Sequence, residues 1–428
     1  MVSGAGYHPP RMDILGWPGP RRRDPSHSGR LPATPRIPQR TALVLGGGGL
    51  KGFAHIGVLR ALDERGVKPT LYAGTSVGAL IASARVAGMS PREMAERAGK
   101  LRKQDLFRVN HMGMVLKRMR CPSLYSERPL RTLCEEIAPA GTFSDLRTPL
   151  LVSTVEVARG RQVVWGLPGL RDVKVADAVY ASCAFPGLFP PGRVGGVACV
   201  DGATMDNLPA VVASHEADAV IAVDLGHANS APTTDGMPQG FAAIYARAAQ
   251  VMMHTLQTKQ LADWAGPPLL LIRPAVWRHE SLSFPDVAEL VTAGYRAASA
   301  ALDEIGDALL GPGGVYPQRL VQVTVNRDKC VGCTACVAHA PRFLAMDRSG
   351  KAYVKASPIA WSHVDEEIIH QCPTRAISVR PLRRRTSGAY ARLRSDAACD
   401  AGRAFPTPRS AICAPAADWR ARASLDPL

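Results

Sequence analysis

The sequence contains no run of 18 or more apolar residues, whereas a helix needs about 20 to cross a bilayer. Its least polar long stretch, 41–59, is loaded with glycine and broken by Lys51 and His55. No apolar segment follows a basic start at the N-terminus, so a secretory signal is not expected. Collagen-like and acidic low-complexity bias are both missing. Aromatic residues make up only 6% of the chain, and the arginine-rich ends lack the regular interleaving of aromatics that nucleic-acid surfaces use. These absences leave a soluble, cytoplasmic globular protein as the expectation, with no nucleic-acid partner.

What is present suits two folded domains with tails: 428 residues, 46% hydrophobic and 21% charged. The formal charge of +16 is unevenly spread. Residues 1–40 hold seven Arg against two Asp, and residues 380–428 hold ten Arg against four Asp, so the two ends carry +11 of it. Solvated, disordered arms are expected at 1–40 and 381–428. A sharper reading is peripheral attraction to an anionic membrane, at the inner face of the cell membrane. That would be worth roughly 1 kcal/mol per Arg or Lys near the surface.

Between these arms, apolar runs alternate with helical patterns. Strands are expected at 41–45, 71–73, 150–155, 162–165, 198–200, 219–224 and 269–272, and helices at 53–65, 77–87, 174–182, 207–215, 240–263 and 286–309. Ser90-Pro91-Arg92-Glu93 reads as a capped helix start. The alternation implies an α/β sheet covered by helices on both faces, over about 41–311. Gly311-Pro312-Gly313-Gly314 makes a break, and a small module is expected at 318–380. The stretch 100–125, with Met112, Met114, Leu116 and Met119 among basic residues, reads either as a lipid-facing lid or as a packed helix.

Gly74-Thr75-Ser76-Val77-Gly78 falls between an expected strand and an expected helix. That is the context a nucleophile elbow needs: a sharp turn that thrusts Ser76 out, with Gly74 and Gly78 allowing close backbone packing. Upstream, Gly47-x-Gly49-x-x-Gly52 also follows a strand and opens a helix. A dinucleotide site would want an acid at the end of the next strand, but that strand runs directly into Ser76. The alternative is an oxyanion hole, in which N–H groups of Gly47, Gly48, Gly49 and Gly52 face a developing negative charge. Lys51 could add positive charge there or be an ordinary solvated lysine. Val200-Asp201-Gly202-Ala203 ends another strand and offers Asp201 either as the base itself or as the residue that orients a histidine in a triad. His215, His227, His254 and His279 follow it without turn chemistry around them, and His55 lies inside a helix. A Ser76–Asp201 pair is therefore the better reading than a triad.

These blocks resemble the patatin-like phospholipases. The glycine loop continues as Phe53-Ala54-His55-Ile56-Gly57-Val58-Leu59, the elbow is intact, and Asp201-Gly202-Ala203 is followed by Asp206-Asn207-Leu208-Pro209. The stretch 181–191 is also similar, with Cys183 where the family often has Ser. The resemblance implies a three-layer αβα sandwich and a Ser–Asp dyad with Asp201 as base for Ser76. It further implies an acyl-enzyme resolved by water, and phospholipid, lysophospholipid or related acyl-ester substrates.

Of ten cysteines, three are packed into Cys330-x-x-Cys333-x-x-Cys336, with Cys372-Pro373 far downstream. In two-cluster ferredoxins the run continues to a fourth Cys before Pro, which serves the other cluster. Here that position is Ala340-Pro341, so the module resembles a single-cluster bacterial-type ferredoxin domain. The four thiolates favour one 4Fe–4S cluster over 3Fe–4S. Zinc prefers two separated hairpins. Cys121, Cys134, Cys199, Cys399 and Cys413 lack metal spacing. Expected partners are an acyl-ester lipid and a ferredoxin reductase or similar redox protein. A second function class stays open: an electron-transfer protein whose patatin-like part only docks lipid.

Overall fold

The computed structural model describes residues 35–110, 123–226, 240–276, 278–279 and 286–382. Residues 1–34 and 383–428 of the two basic arms and the Met-rich stretch 111–122 lie outside them. The described residues from 35 to 381 belong to one compact unit.

Nine strands form the main sheet. Its centre is parallel: β1 (Thr41–Leu45) lies between β2 (Leu71–Thr75) and β7 (Ala219–Val223), with β8 (Pro268–Ile272) beyond β7. All five residues of each of these four strands are buried. This is why they read as continuous apolar runs rather than as alternating ones. Beyond β2 lies β3 (Leu150–Glu156), which pairs antiparallel with both β4 (Arg161–Trp165) and β6 (Val197–Asp201), and β5 (Gly192–Val194) lines up against β6. Alternate strand residues feed two apolar cores. Leu43, Leu45, Ile221 and Leu270 belong to one, and Ala42, Val44, Val220 and Leu271 to the other. The α/β sandwich expected from the alternation is thus present, with a mixed rather than all-parallel sheet.

Helix Ala54–Glu64 packs along helix Val287–Ile305. The contact requires Gly57 and Gly294, because a Cβ on either would run into backbone of the opposite helix. The Ser90 capping box forms as expected. The expected helix 207–215 is shorter, Ala210–Ser214. Asp206 turns its carboxylate onto Leu208 N–H (3.1 Å) and Pro209 follows, so the first residues make a turn. Helix Glu127–Ile137 and strands β5 and β9 (Gly314–Tyr316) were not expected. β9 pairs parallel with β8, so the large sheet continues past the glycine break near 311.

The last part of the unit is a small α+β module. β10 (Arg319–Val325) lies between β13 (Ile359–Trp361) and β14 (Ile377–Pro381), and β11 (Leu344–Met346) pairs with β12 (Ala352–Val354). Its core gathers Val321, Leu344 and Trp361 with Cys330 and Cys336. Phe343 stacks on Trp361 at 5.7 Å between ring centroids.

Candidate active site and cluster site

The glycine loop follows β1 and the elbow follows β2, so both leave neighbouring parallel strands at the same edge, the edge where open α/β sheets carry sites. β6 brings Asp201 opposite Thr154, one step past the Thr75–Ser153 pair that precedes Ser76. The register alone therefore brings Asp201 beside Ser76, whose side chain helps to favour the charged carboxylate.

Ser76 has φ 56° and ψ −130°, a left-handed conformation that non-glycine residues adopt at a cost. Surrounding bonds hold it. Ser76 N–H donates to Ser182 Oγ (2.8 Å), and Ser182 donates on to Ser153 O (2.7 Å). Thr75 Oγ1 bonds Asp206 O at 3.0 Å. Gly78 lies so close to Leu45 backbone that no side chain fits. Gly74 likewise touches the start of the following helix, and Gly202 touches Ser153.

Asp201 is 2% exposed and accepts Ala203 N–H at 2.9 Å. Burial pushes its carboxyl up to about 7, against the Ala203 bond and the neighbouring Ser76 side chain, which favour the charged form. A base poised near neutrality is what proton transfer from a serine hydroxyl requires.

The four loop glycines have different places. Gly47 donates its N–H to Asn207 O (3.2 Å), and a Cβ on it would stand 3.2 Å from Ser76 Cβ. Gly52 packs on the Val77 side chain. Gly48 and Gly49 open the 3-10 turn Gly49–Phe53, and a helix start leaves its first N–H groups without intrahelical partners. The loop is anchored from behind by His55, fully buried, whose Nε2 lies 2.8 Å from Gly46 O. Burial lowers the imidazole to about 4, so it is neutral and donates from Nε2. Lys51 is not a free solvated lysine: Nζ donates to Leu225 O at 3.3 Å, and burial lowers its pKa despite Asp224 nearby. His215 and His279 have no part in this geometry, and His227 lies outside the described residues.

The roles of three contributors escaped sequence reasoning. Ser182 fixes the elbow N–H, Asn207 holds Gly47, and Gln257, 4% exposed, accepts Asn207 Nδ2–H at 2.9 Å. Cys183, next to Ser182, instead faces Cys134; that contact and burial raise its thiol well above the ordinary value.

In the small module, Cys330, Cys333, Cys336 and Cys372 line one hollow. Among the described residues no three His, Cys, Asp or Glu side chains converge tightly enough for a single metal ion. Thr334 and Gly332 take left-handed φ of 62° and 72°, folding the loop round the hollow. Burial raises the Cys336 thiol, as do Cys330, Cys333 and Cys372 beside it; iron would relieve that crowding of negative charge. Ala376 N–H donates to Cys372 Sγ at 3.2 Å. Burial opposes the Cys372 thiolate, but this bond and those from Thr374 and Ile377 bring its pKa below the usual value.

Residues 43–214 match the family model described as patatin-like phospholipase. Residues 325–379 match that of the 4Fe-4S single cluster domain of ferredoxin I. An uncharacterized NTE family protein of Mycobacterium bovis is 33% identical over 200 residues, 46% of this chain and 52% of that protein. Patatin-like phospholipase domain-containing protein 6 of Mus musculus is 31% identical over 193 residues, 43% of this chain and 13% of that one. The chain thus spans about half the length of the first curated relatives it matches. Among solved structures, VipD from Legionella pneumophila is similar at 18% identity and a TM-score of 0.34, over 62% of this chain and 67% of that one. Both segments that carry the resemblance are matched, so a patatin-like segment and a single-cluster ferredoxin segment are fused in this chain.

Proposed function

We propose that this chain is a lipid acyl-ester hydrolase working through a Ser76–Asp201 dyad, with one 4Fe–4S cluster carried in the same compact unit. The observation that supports it best is a strained, elbow-mounted Ser76 set by strand register beside a buried Asp201.

Asp201 takes the Ser76 proton as Oγ bonds to the ester carbonyl carbon, and the carbonyl electron pair moves onto oxygen. Gly48 and Gly49 N–H groups receive that oxyanion. When the tetrahedral adduct collapses, the leaving alkoxide takes the proton from Asp201 and departs as alcohol or lysolipid. Water then attacks the acyl-enzyme, giving its proton to Asp201, and the released Ser76 oxygen recovers it.

Cys330, Cys333, Cys336 and Cys372 would hold the cluster, which when bound supplies one-electron transfer to a ferredoxin reductase or similar partner. Peripheral contact with anionic lipid is supported by helix Phe241–Ala262. It has no acidic residue and exposes Ile244, Tyr245, Val251 and Met252. No helix among the described residues is long and apolar enough to cross a membrane.

The test is hydrolysis of p-nitrophenyl acyl esters and lysophospholipids by anaerobically purified protein and Ser76→Ala, with cluster absorbance read before substrate is added. The variant should lose roughly 10⁴-fold or more in kcat and keep its colour. If the coloured wild type turns over neither substrate, electron transfer with lipid docking becomes the better reading.

A further inference from the structure

The small module touches the hydrolase part on two routes that end at the glycine loop. In the first, Glu367 opens the short helix Glu367–Gln371 that runs directly into Cys372. Its Oε2 lies 3.2 Å from Nε2 of His254 on helix Phe241–Ala262. One turn along that helix, buried Gln257 accepts the 2.9 Å bond from Asn207 Nδ2. Asn207 in turn grips Gly47 from both sides, its carbonyl accepting Gly47 N–H at 3.2 Å and Nδ2 standing 3.5 Å from Gly47 O.

In the second route, His363 O accepts Arg273 Nη1–H at 3.0 Å, and Arg273 Nε donates to Asp224 at 3.0 Å. Asp224 is 1% exposed and accepts Gly226 N–H (2.8 Å), while the intervening Leu225 O receives Lys51 of the loop. Val364, between the two polar routes, is buried in the same apolar cluster as Leu271 and Val315 of β8 and β9. The helix itself is poorly packed over its first half, where Ile244, Tyr245 and Met252 are more than half exposed. What locates its second half is therefore Gln257 and Leu261 on the sheet side and His254 against the module.

We infer that Gln257 is a positioning residue for the glycine loop, and that the cluster-bearing module sets its place through Glu367 and His254. This rests on the hydrolase reading. It gives the fused module a task at that site: whatever orders the segment before Cys372 also orders the donors that meet the oxyanion. Gln257 touches no reacting atom, so its removal should disturb the transition state rather than the ground state.

The experiment uses the full chain, loaded anaerobically with its cluster, as wild type, Gln257→Leu, Gln257→Glu and Glu367→Ala. Three quantities are read: the Ser76 labelling rate with a fluorophosphonate, kcat and KM on a p-nitrophenyl ester, and amide exchange of residues 46–52 against β3. Gln257→Leu should lower kcat about 10–100-fold with KM within about twofold. Gln257→Glu, which retains the acceptor oxygen, should recover to within about threefold of wild type. Glu367→Ala should slow Ser76 labelling at least fivefold, in the range of ordinary coupling energies. It should also speed exchange of 46–52 while leaving β3 protected.

Wild-type labelling and loop exchange in Gln257→Leu, or unchanged loop exchange in Glu367→Ala, would overturn the inference. Should Gln257→Leu fail to fold, Glu367→Ala alone decides. A folded wild type that takes no label at Ser76 removes the hydrolase reading itself, an outcome distinct from normal labelling that ignores both positions.

Discussion

In the proposed mechanism Asp201 is the residue on which the chemistry turns, and its environment ties activity to stability. Because its carboxyl titrates near 7 in the folded protein and near 3.9 in an unfolded chain, the folded state holds this proton more tightly. Its contribution to stability is therefore greatest at low pH and is lost as pH rises from about 4 to about 7. Activity runs the other way, since the base must be ionised: kcat/KM should climb with pH and level off above about 7. Asp201→Asn is accordingly expected to lose roughly 10⁴-fold in kcat yet to melt higher than wild type at pH 8, with the gain absent at pH 4. Calorimetry at the two pH values decides this, and a lower melting temperature at pH 8 would contradict the buried-acid account. At this scale the sequence singled out Ser76, Asp201 and Cys330, Cys333 and Cys336 where a motif stands in one stretch, and the fold sets Asp201 beside Ser76 and Cys372 beside the other three cysteines. The sequence held Ser182 and Asn207 only as members of similar stretches, without a role, and was silent on Gln257; their roles are pairings across 106, 160 and 50 residues. Ordinary polar residues carry no periodicity or spacing that would single them out.

Elements carry the site by register and close approach. Helix Ala54–Glu64 begins at the end of the glycine loop, bears His55, and is pressed backbone to backbone on helix Val287–Ile305 at Gly57 and Gly294. Gly294→Ala puts a methyl against Ala54 O, so it should destabilise by about 1–3 kcal/mol as an overpacked contact. It should also raise amide exchange at 46–57, which urea unfolding and exchange mass spectrometry can check together. The eventual strands were readable because burial on both faces leaves unbroken apolar runs, and the capping box at Ser90 because its chemistry is local. Three-residue strands such as β5 and β9 give no such run. The helix expected from 207 was displaced by the Asx turn at Asp206, a bond that competes with helix formation only once the neighbouring loop is in place.

Taken whole, the four-cysteine module is built into the patatin-like part rather than hung from it. Its core includes two of the four thiols, so cluster loss removes folding energy as well as a redox group. Stripping the iron, or Cys372→Ser, should lower the melting temperature of the full chain by at least about 5 °C. Protection from exchange should fall across 318–381 first. An unchanged melting curve after complete bleaching would mean the thiols need no metal to stay packed.

The strand β9 carries a practical consequence. It closes the open side of β8, and it is the last hydrolase strand before the chain turns through Tyr316-Pro317 into β10. A fragment ended at the glycine break would leave the β8 edge bare, an aggregation template. Anyone dividing the gene at its most obvious linker would thus obtain a sticky protein and blame the missing iron. A cut beyond Tyr316 would keep that edge paired, but it would still strip Val364 from the apolar cluster it shares with β8 and β9.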